Sequence, residues 1–238
     1  MSTVRLPGPE GAPLVLPLFP LTGSLLLPGG LLPLHIFEPR YRHMVEDVLA
    51  DHRIIGMVQP TVPDPADNRG SGPGTGAGSR AQDPRPRSAG GQPQVYDIGC
   101  AGKIEKHQEL PQGRYVIVLR GLGRFRIERE LELCRGYRQV EVSYDPFVHD
   151  PLDLESEIEG DGILAALTSY AVSRGLELDL EQLEGLAGLA LLNGLAMTLP
   201  FTPAEKQALL EAADVGSRRD ILLALLTMGF ETPSDLTN

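Results

Sequence analysis

A change of apolar period partway along the chain predicts an α+β fold. Up to about residue 147 the apolar residues alternate or run in short blocks between Gly and Pro, as strands do. Beyond the segment HDPLD they recur at helical spacing. Strands first and helices afterwards indicate a sheet with its helices set apart, not a series of β-α units. The 238 residues, 42% of them hydrophobic, suffice for one large domain or two small ones with a real core.

The elements follow in order. Residues 14–37 are uncharged and rich in Leu, but Pro17, Pro20, Pro28 and Pro33 and the pair Gly29-Gly30 break them up. A membrane-spanning helix needs about 20 helix-compatible apolar residues, which these breaks deny. The stretch reads instead as short extended segments, LVLPLFPL, SLLLP and LLPLHIF, at the edge of a sheet, where proline is tolerated. The preceding MSTVRLPGPEG does not have the pattern of a signal peptide. In EPRYRHMVEDVLADH, Pro39 suits a first helical turn, and Met44, Val45, Val48 and Leu49 form one apolar stripe. RIIGMVQP reads as a buried strand. VYDIGCAGKIEKHQEL and RYVIVLRGLGRFRIEREL read as strands around a PQG turn, and YRQVEVSYDPF as one more. Tyr115, Ile117 and Leu119 alternate with Val116 and Val118, which predicts a central strand. Phe125 and Ile127 alternate with Arg124, Arg126 and Glu128, which predicts a half-exposed one.

Four helices are expected in the second part. Ile158, Ile163, Leu164, Leu167 and Tyr170 share the first, ended by Gly175. LEQLEGLAGLALLNGLAMTLP is apolar nearly all round and is expected at the centre of a small bundle. Thr202, Pro203 and Glu205 form a capping box opening the third. The fourth is expected to be capped by Ser217 and ended by Gly229.

Composition and motifs exclude several kinds of chemistry. A net charge of −11 opposes general binding to a phosphate backbone. Two cysteines, Cys100 and Cys134, make neither a disulfide framework nor a zinc motif, which fits a reducing cytoplasm and small buried side chains. DIGCAGKIE fails as a phosphate-binding loop because Asp97 and Ile104 stand where Gly and Ser or Thr are required. No G-x-S-x-G occurs, and nothing local supports a pairing of Ser169 with Lys206. His35, His43, His52, His107 and His149 lack metal-ligand spacing. No cofactor, metal or catalytic residue is expected.

Two stretches carry a resemblance. LPLFPLTGSLLLPGGLLPLHIFEPRYRHMVEDVL is similar to the opening of the Lon protease N-terminal, or LON substrate-binding, domain family. YDIGCAGKIEKHQELPQGRYVIVLRGLGRFRIE resembles its second signature, which falls on Gly99, Ile104, Val118, Leu119, Gly121, Leu122, Arg124, Phe125 and Ile127. LALLNGLAMTLPFTPAEKQALLEAADVGSRRDILLALL resembles its helical tail. The resemblance implies a PUA-like, mostly-β subdomain over 1–147 and a helical subdomain over 148–238, together one domain. A full Lon protease continues into ATPase and peptidase modules, so this chain resembles a stand-alone LON-domain protein. The implied function is non-catalytic recognition of unfolded or peptide segments, as a cytoplasmic adaptor in protein quality control beside an ATP-dependent protease or chaperone. An RNA-binding PUA-like module and an assembly protein with a dedicated partner are the alternatives. Phe19, Phe37 and Tyr41 are candidate anchors for a polypeptide, with core packing as the other reading of Phe19 and Phe37. Arg40, Arg124 and Arg126 are candidates for holding acidic groups, with a solvated face as the other reading.

Residues 63–94 hold no Val, Ile, Leu or aromatic residue, so they cannot bury enough apolar surface to offset chain entropy and are expected to form a flexible insertion within the sheet. Replacing them by a short Gly-Ser turn is expected to keep the cooperative melt, with Tm unchanged or slightly raised, because a shorter loop costs less to close. Circular-dichroism melting of the deletion variant checks this.

Overall fold

A computed structural model describes residues 8–61, 93–150, 161–174 and 188–228, together with Ile158 and Leu186. The expected insertion at 63–94 lies outside these residues except for Pro93 and Gln94. Its two ends meet: Pro60 bridges Val95, and Thr61 N–H donates to the Gln94 carbonyl.

Six strands form one mixed sheet: β1 (Val15–Pro20), β2 (Leu31–Ile36), β3 (Ile54–Val58), β4 (Ile98–Leu110), β5 (Arg114–Glu130) and β6 (Arg138–Ser143). Their order is β2-β5-β4-β3-β1-β6, and β5 also pairs with β6. That extra pairing closes β5, β4, β3, β1 and β6 into a ring. β2 is left outside it, on the first half of β5. The ring is possible because β5 is long: its first half pairs with β2 and its second with β6, while β4 runs beside both. Pairing is antiparallel except between β1 and β3.

Period-two alternation sorts the strand residues into two cores. Leu16, Leu18, Val58, Leu122, Phe125, Val140 and Val142 fill the ring. Phe125 is fully buried at its centre, and Gly99 makes the space: a Cβ there would stand 2.5 Å from the Phe125 ring. The opposite face, with Met57, Cys100, Ile104, Ile117 and Leu119, packs against the helices. These are α1 (Pro39–Leu49), α2 (Asp161–Arg174), α3 (Gly188–Thr198), α4 (Pro203–Glu211) and α5 (Val215–Met228). One core therefore joins sheet and helices; Leu191, Leu209 and Leu222 belong to it alongside the strand residues.

Several expectations need correction. SLLLP is not a strand, although Leu25, Leu26 and Leu27 are buried; the turn after it approaches β5 so closely that a Cβ on Gly121 would stand 2.0 Å from the Leu27 carbonyl oxygen. β1 is not an edge strand but lies between β3 and β6. Its prolines are tolerated because the two pairings are staggered: Pro17 precedes the β3 register and Pro20 follows the β6 register. α3 presents Ala190, Gly194 and Thr198 to solvent, and the helix touching each of α2, α3 and α4 is α5. The α4 capping box forms as the sequence indicates. At α5, Asp214 accepts from Ser217 N–H at 2.7 Å, so the cap lies three residues before the expected Ser217. The expected helix stops at Gly175 and Gly229 lie outside the described residues.

The largest correction concerns Arg124. It is 3% exposed, not solvent-facing, and pairs with Asp150, itself 2% exposed. Its Nη2 donates to Asp150 Oδ1 at 2.6 Å and its Nε to the same oxygen at 2.9 Å, while its backbone N–H donates to Oδ2 at 2.7 Å. Its Nη1 donates to the carbonyls of Leu210, at 3.1 Å, and Ala212, at the end of α4. The guanidinium also stacks on Phe147, 4.6 Å from the ring centroid. A strand residue thus neutralises a buried carboxylate and satisfies helix carbonyls that have no partner within the helix.

Two predictions follow from this packing. Arg124→Met or Asp150→Asn is expected to cost about 3–5 kcal/mol in denaturant unfolding, since each strands a buried charge or its partners. The double variant Arg124→Met/Asp150→Leu is expected to lose less than either single one. The second concerns His52, whose Nδ1 accepts from Ile54 N–H at 3.0 Å. Burial holds this imidazole below its usual value of 6.5, against the opposing charge of Asp51. The folded state therefore prefers neutral His52. Its contribution is complete above about pH 6.5 and is lost as pH falls from there through the lowered folded value. His52→Gln is expected to flatten the fall in Tm between about pH 6.5 and pH 5.

Candidate functional site

The site lies where β1 ends, β2 ends and α1 begins. Pro39 at the first helical position and extended backbone at Glu38 turn the chain from β2 directly into α1. This junction brings Tyr41 back over Phe19 of β1, with ring centroids 4.4 Å apart and planes tilted by 58°. Both rings are buried, and tilted pairs at this separation are favourable beyond their area. They belong to an open pocket lined by Phe19, Pro20 and Leu21 from β1 and its exit, Leu34 to Glu38 from the end of β2 and its turn into α1, and Tyr41. Its volume of about 80 Å³ lies well below the roughly 300–1,000 Å³ typical of small-molecule sites. It has room for a side chain rather than a cofactor.

Phe37 stands at the rim, 65% exposed. It ends a stripe on β2: Leu31, Pro33, His35 and Phe37 are all exposed, while Leu34 and Ile36 turn into the core. Arg40 lies beside the pocket, its guanidinium 4.5 Å from the Tyr41 centroid and its Nε donating to Glu38 at 3.0 Å. The site is thus an apolar groove with one neutralised ion pair at its end. Nothing in it has the arrangement of a nucleophile and base.

Of the residues expected from sequence, Phe19, Phe37, Arg40 and Tyr41 come together here. Arg124 and Arg126 do not. Arg124 is buried against Asp150, and Arg126 is exposed on the second half of β5, opposite Ile98. The stripe of Leu31, Pro33 and His35 is not among the residues expected from sequence. Its signal was the period of two in LLPLHIF, where every second residue falls on the open face.

Other reactive groups are occupied elsewhere. Lys206 Nζ donates to the carbonyls of Gly23, at 2.8 Å, and Met197, at 3.1 Å, and burial lowers its pKa. Ser169 Oγ donates to the Ala165 carbonyl of its own helix. The buried Cys100 thiol is pushed up to about 12, chiefly by desolvation. Among the described residues no three His, Cys, Asp or Glu side chains gather to hold a metal, and no helix is long and apolar enough to cross a membrane.

Fold and site together define an α+β domain with an apolar surface groove. The chain belongs to the family of the ATP-dependent protease La (LON) substrate-binding domain, whose model matches residues 15–228. It is 28% identical over 223 residues to Lon protease 2 of Myxococcus xanthus, covering 91% of this chain and 24% of that protein. To the Lon protease of Anaeromyxobacter dehalogenans it is 25% identical over 225 residues, covering 91% and 23%. The chain thus spans about a quarter of the length of the curated relatives it matches. Among solved structures it resembles a Lon N-terminal domain protein from Xanthomonas campestris, with 26% identity, a TM-score of 0.56, and coverage of 88% of this chain and 97% of that one. The N-terminal domain of the Mycobacterium avium complex Lon protease shares the fold, with a TM-score of 0.52 at 17% identity, covering 90% and 98%.

Proposed function

We propose that this chain is a non-catalytic module that binds extended polypeptide segments, with the groove of Phe19, Phe37 and Tyr41 as its contact site. The observation that carries the reading is the exposed stripe of Leu31, Pro33, His35 and Phe37, three of them apolar, continuous with a side-chain-sized pocket. An extended segment lying along β2 would place one apolar side chain over the Phe19–Tyr41 pair and its main chain beside the edge of β2 that faces away from β5. Membership of the LON substrate-binding family supports a polypeptide ligand. In this reading residues 1–147 form a PUA-like β subdomain and 148–238 a helical subdomain. The two work as one cytoplasmic adaptor that presents unfolded segments to an ATP-dependent protease or chaperone.

Phe37 is the residue to test because its exposure separates binding from folding. Phe37→Ala is expected to weaken binding of a dye-labelled, reduced and carboxymethylated polypeptide about tenfold, or about 1.4 kcal/mol, in fluorescence anisotropy. The Tm should stay within about 1 °C of wild type. Val172→Ala, an exposed apolar residue on α2, should leave binding unchanged. Equal affinity of the Phe37 variant and wild type would remove the groove from the binding site.

A further inference from the structure

The free edge of β2 has a defined hydrogen-bonding order. Where β2 begins, Gly121 N–H donates to the Gly30 carbonyl and Gly29 N–H donates to the Gly121 carbonyl, each at 2.9 Å. This is a bulge with Gly29 in the left-handed region at φ 77°. The register beyond it is continuous from Leu31 opposite Arg120 to Ile36 opposite Tyr115. Antiparallel pairing alternates, so Leu32, Leu34 and Ile36 exchange hydrogen bonds with β5, while Leu31, Pro33 and His35 turn their main-chain groups away from it. Among the described residues no backbone group takes up those outward groups.

Proline has no N–H. The outward row therefore reads donor and acceptor at Leu31, acceptor alone at Pro33, and donor and acceptor at His35. The gap sits in the middle of a strand whose open side carries Leu31, Pro33 and His35 and no Asp, Glu, Lys or Arg, the kind of edge that invites pairing. The φ of proline fits extended backbone, and because its nitrogen faces away from β5, the existing ladder loses nothing by it.

We propose that Pro33 limits what the β2 edge accepts: a short extended segment paired beside His35 and Phe37, and not a long strand or the β2 of a second copy. This rests on the polypeptide-binding reading for its ligand, and on the ladder order alone for the exclusion of a second copy. An antiparallel segment can pair continuously from the Pro33 carbonyl toward Phe37, a span of about four residues. Carried farther toward Leu31, it leaves its own carbonyl opposite Pro33 without a donor. Two copies of β2 laid edge to edge meet this defect twice, once in each strand.

The test compares wild type with Pro33→Ala, which restores the missing N–H at an exposed position. The probes are dye-labelled peptides that begin Thr-Phe-Thr-Val and are lengthened by Thr-Val repeats, from about four to about twelve residues. Wild-type affinity is expected to level off at the short end, and that of Pro33→Ala to keep rising, by about tenfold across the series. Sedimentation velocity should show stronger self-association of the variant at equal concentration. If Pro33→Ala loses its cooperative melt, Pro33→Val, with a side chain suited to strands, carries the comparison. Wild-type affinity that climbs with length as steeply as the variant's overturns the proposal. So does a variant that matches wild type in both length dependence and self-association. If no peptide binds either protein, the polypeptide reading falls, and the sedimentation comparison alone decides the role of Pro33.

Discussion

The buried pair of Arg124 and Asp150 is the constraint on which the arrangement of this domain depends. A guanidinium on β5 cannot stay in an apolar interior without a counter-charge and acceptors for its donors. Asp150 supplies the charge, and the carbonyls at the end of α4 supply the acceptors. The last turn of α4 is therefore held against β5, and the chain leaving β6 must pass through Phe147 to Asp150. Arg218 adds a second guanidinium at the same place, its Nε donating to the Leu209 carbonyl. With the end of α4 fixed, the buried side of the sheet is covered by helices, and one core spans both.

That coverage decides which strand keeps a free edge. The ring of five strands hides its edges by closing on itself, and the helices cover the remaining inner face. β2 lies outside the ring and pairs on one side only. Its open face carries apolar residues that no described element covers. The Phe19–Tyr41 pair sits at its end because Pro39 turns the chain into α1 at that point. The groove is therefore a consequence of topology: a strand one place beyond a closed ring keeps a free edge, and proline within it removes one N–H from that edge.

The sequence and the fold agree most where a local signal determines structure. The prolines and paired glycines of residues 14–37 excluded a long helix, and the capping box at Thr202 and Glu205 marked the start of α4. The aromatic residues named from the sequence, Phe19, Phe37 and Tyr41, do share one place. They were legible because they crowd the junction of two strands and a helix within 23 residues, counted from Phe19 to Tyr41. Arg124 is buried where a half-exposed strand is expected, because its alternation with Phe125 and Ile127 gives a period but no environment.

By itself the sequence determined the order of strands before helices, the position of α1, the main turns and the absence of known nucleotide-binding or nucleophile motifs. These follow from short-range rules: which residues accept which backbone angles, and which faces must leave water. The tertiary structure alone decided that β5 pairs with both β2 and β6, that β1 lies inside the sheet in spite of its prolines, and that Arg124 is buried. Strand partners and burial depend on contacts between residues far apart in the chain. Arg124 and Asp150 are 26 positions apart, and Arg124 and Ala212 are 88. No local pattern encodes which charge a buried guanidinium will meet, because the pairing is fixed only when the sheet has closed and the helices have docked.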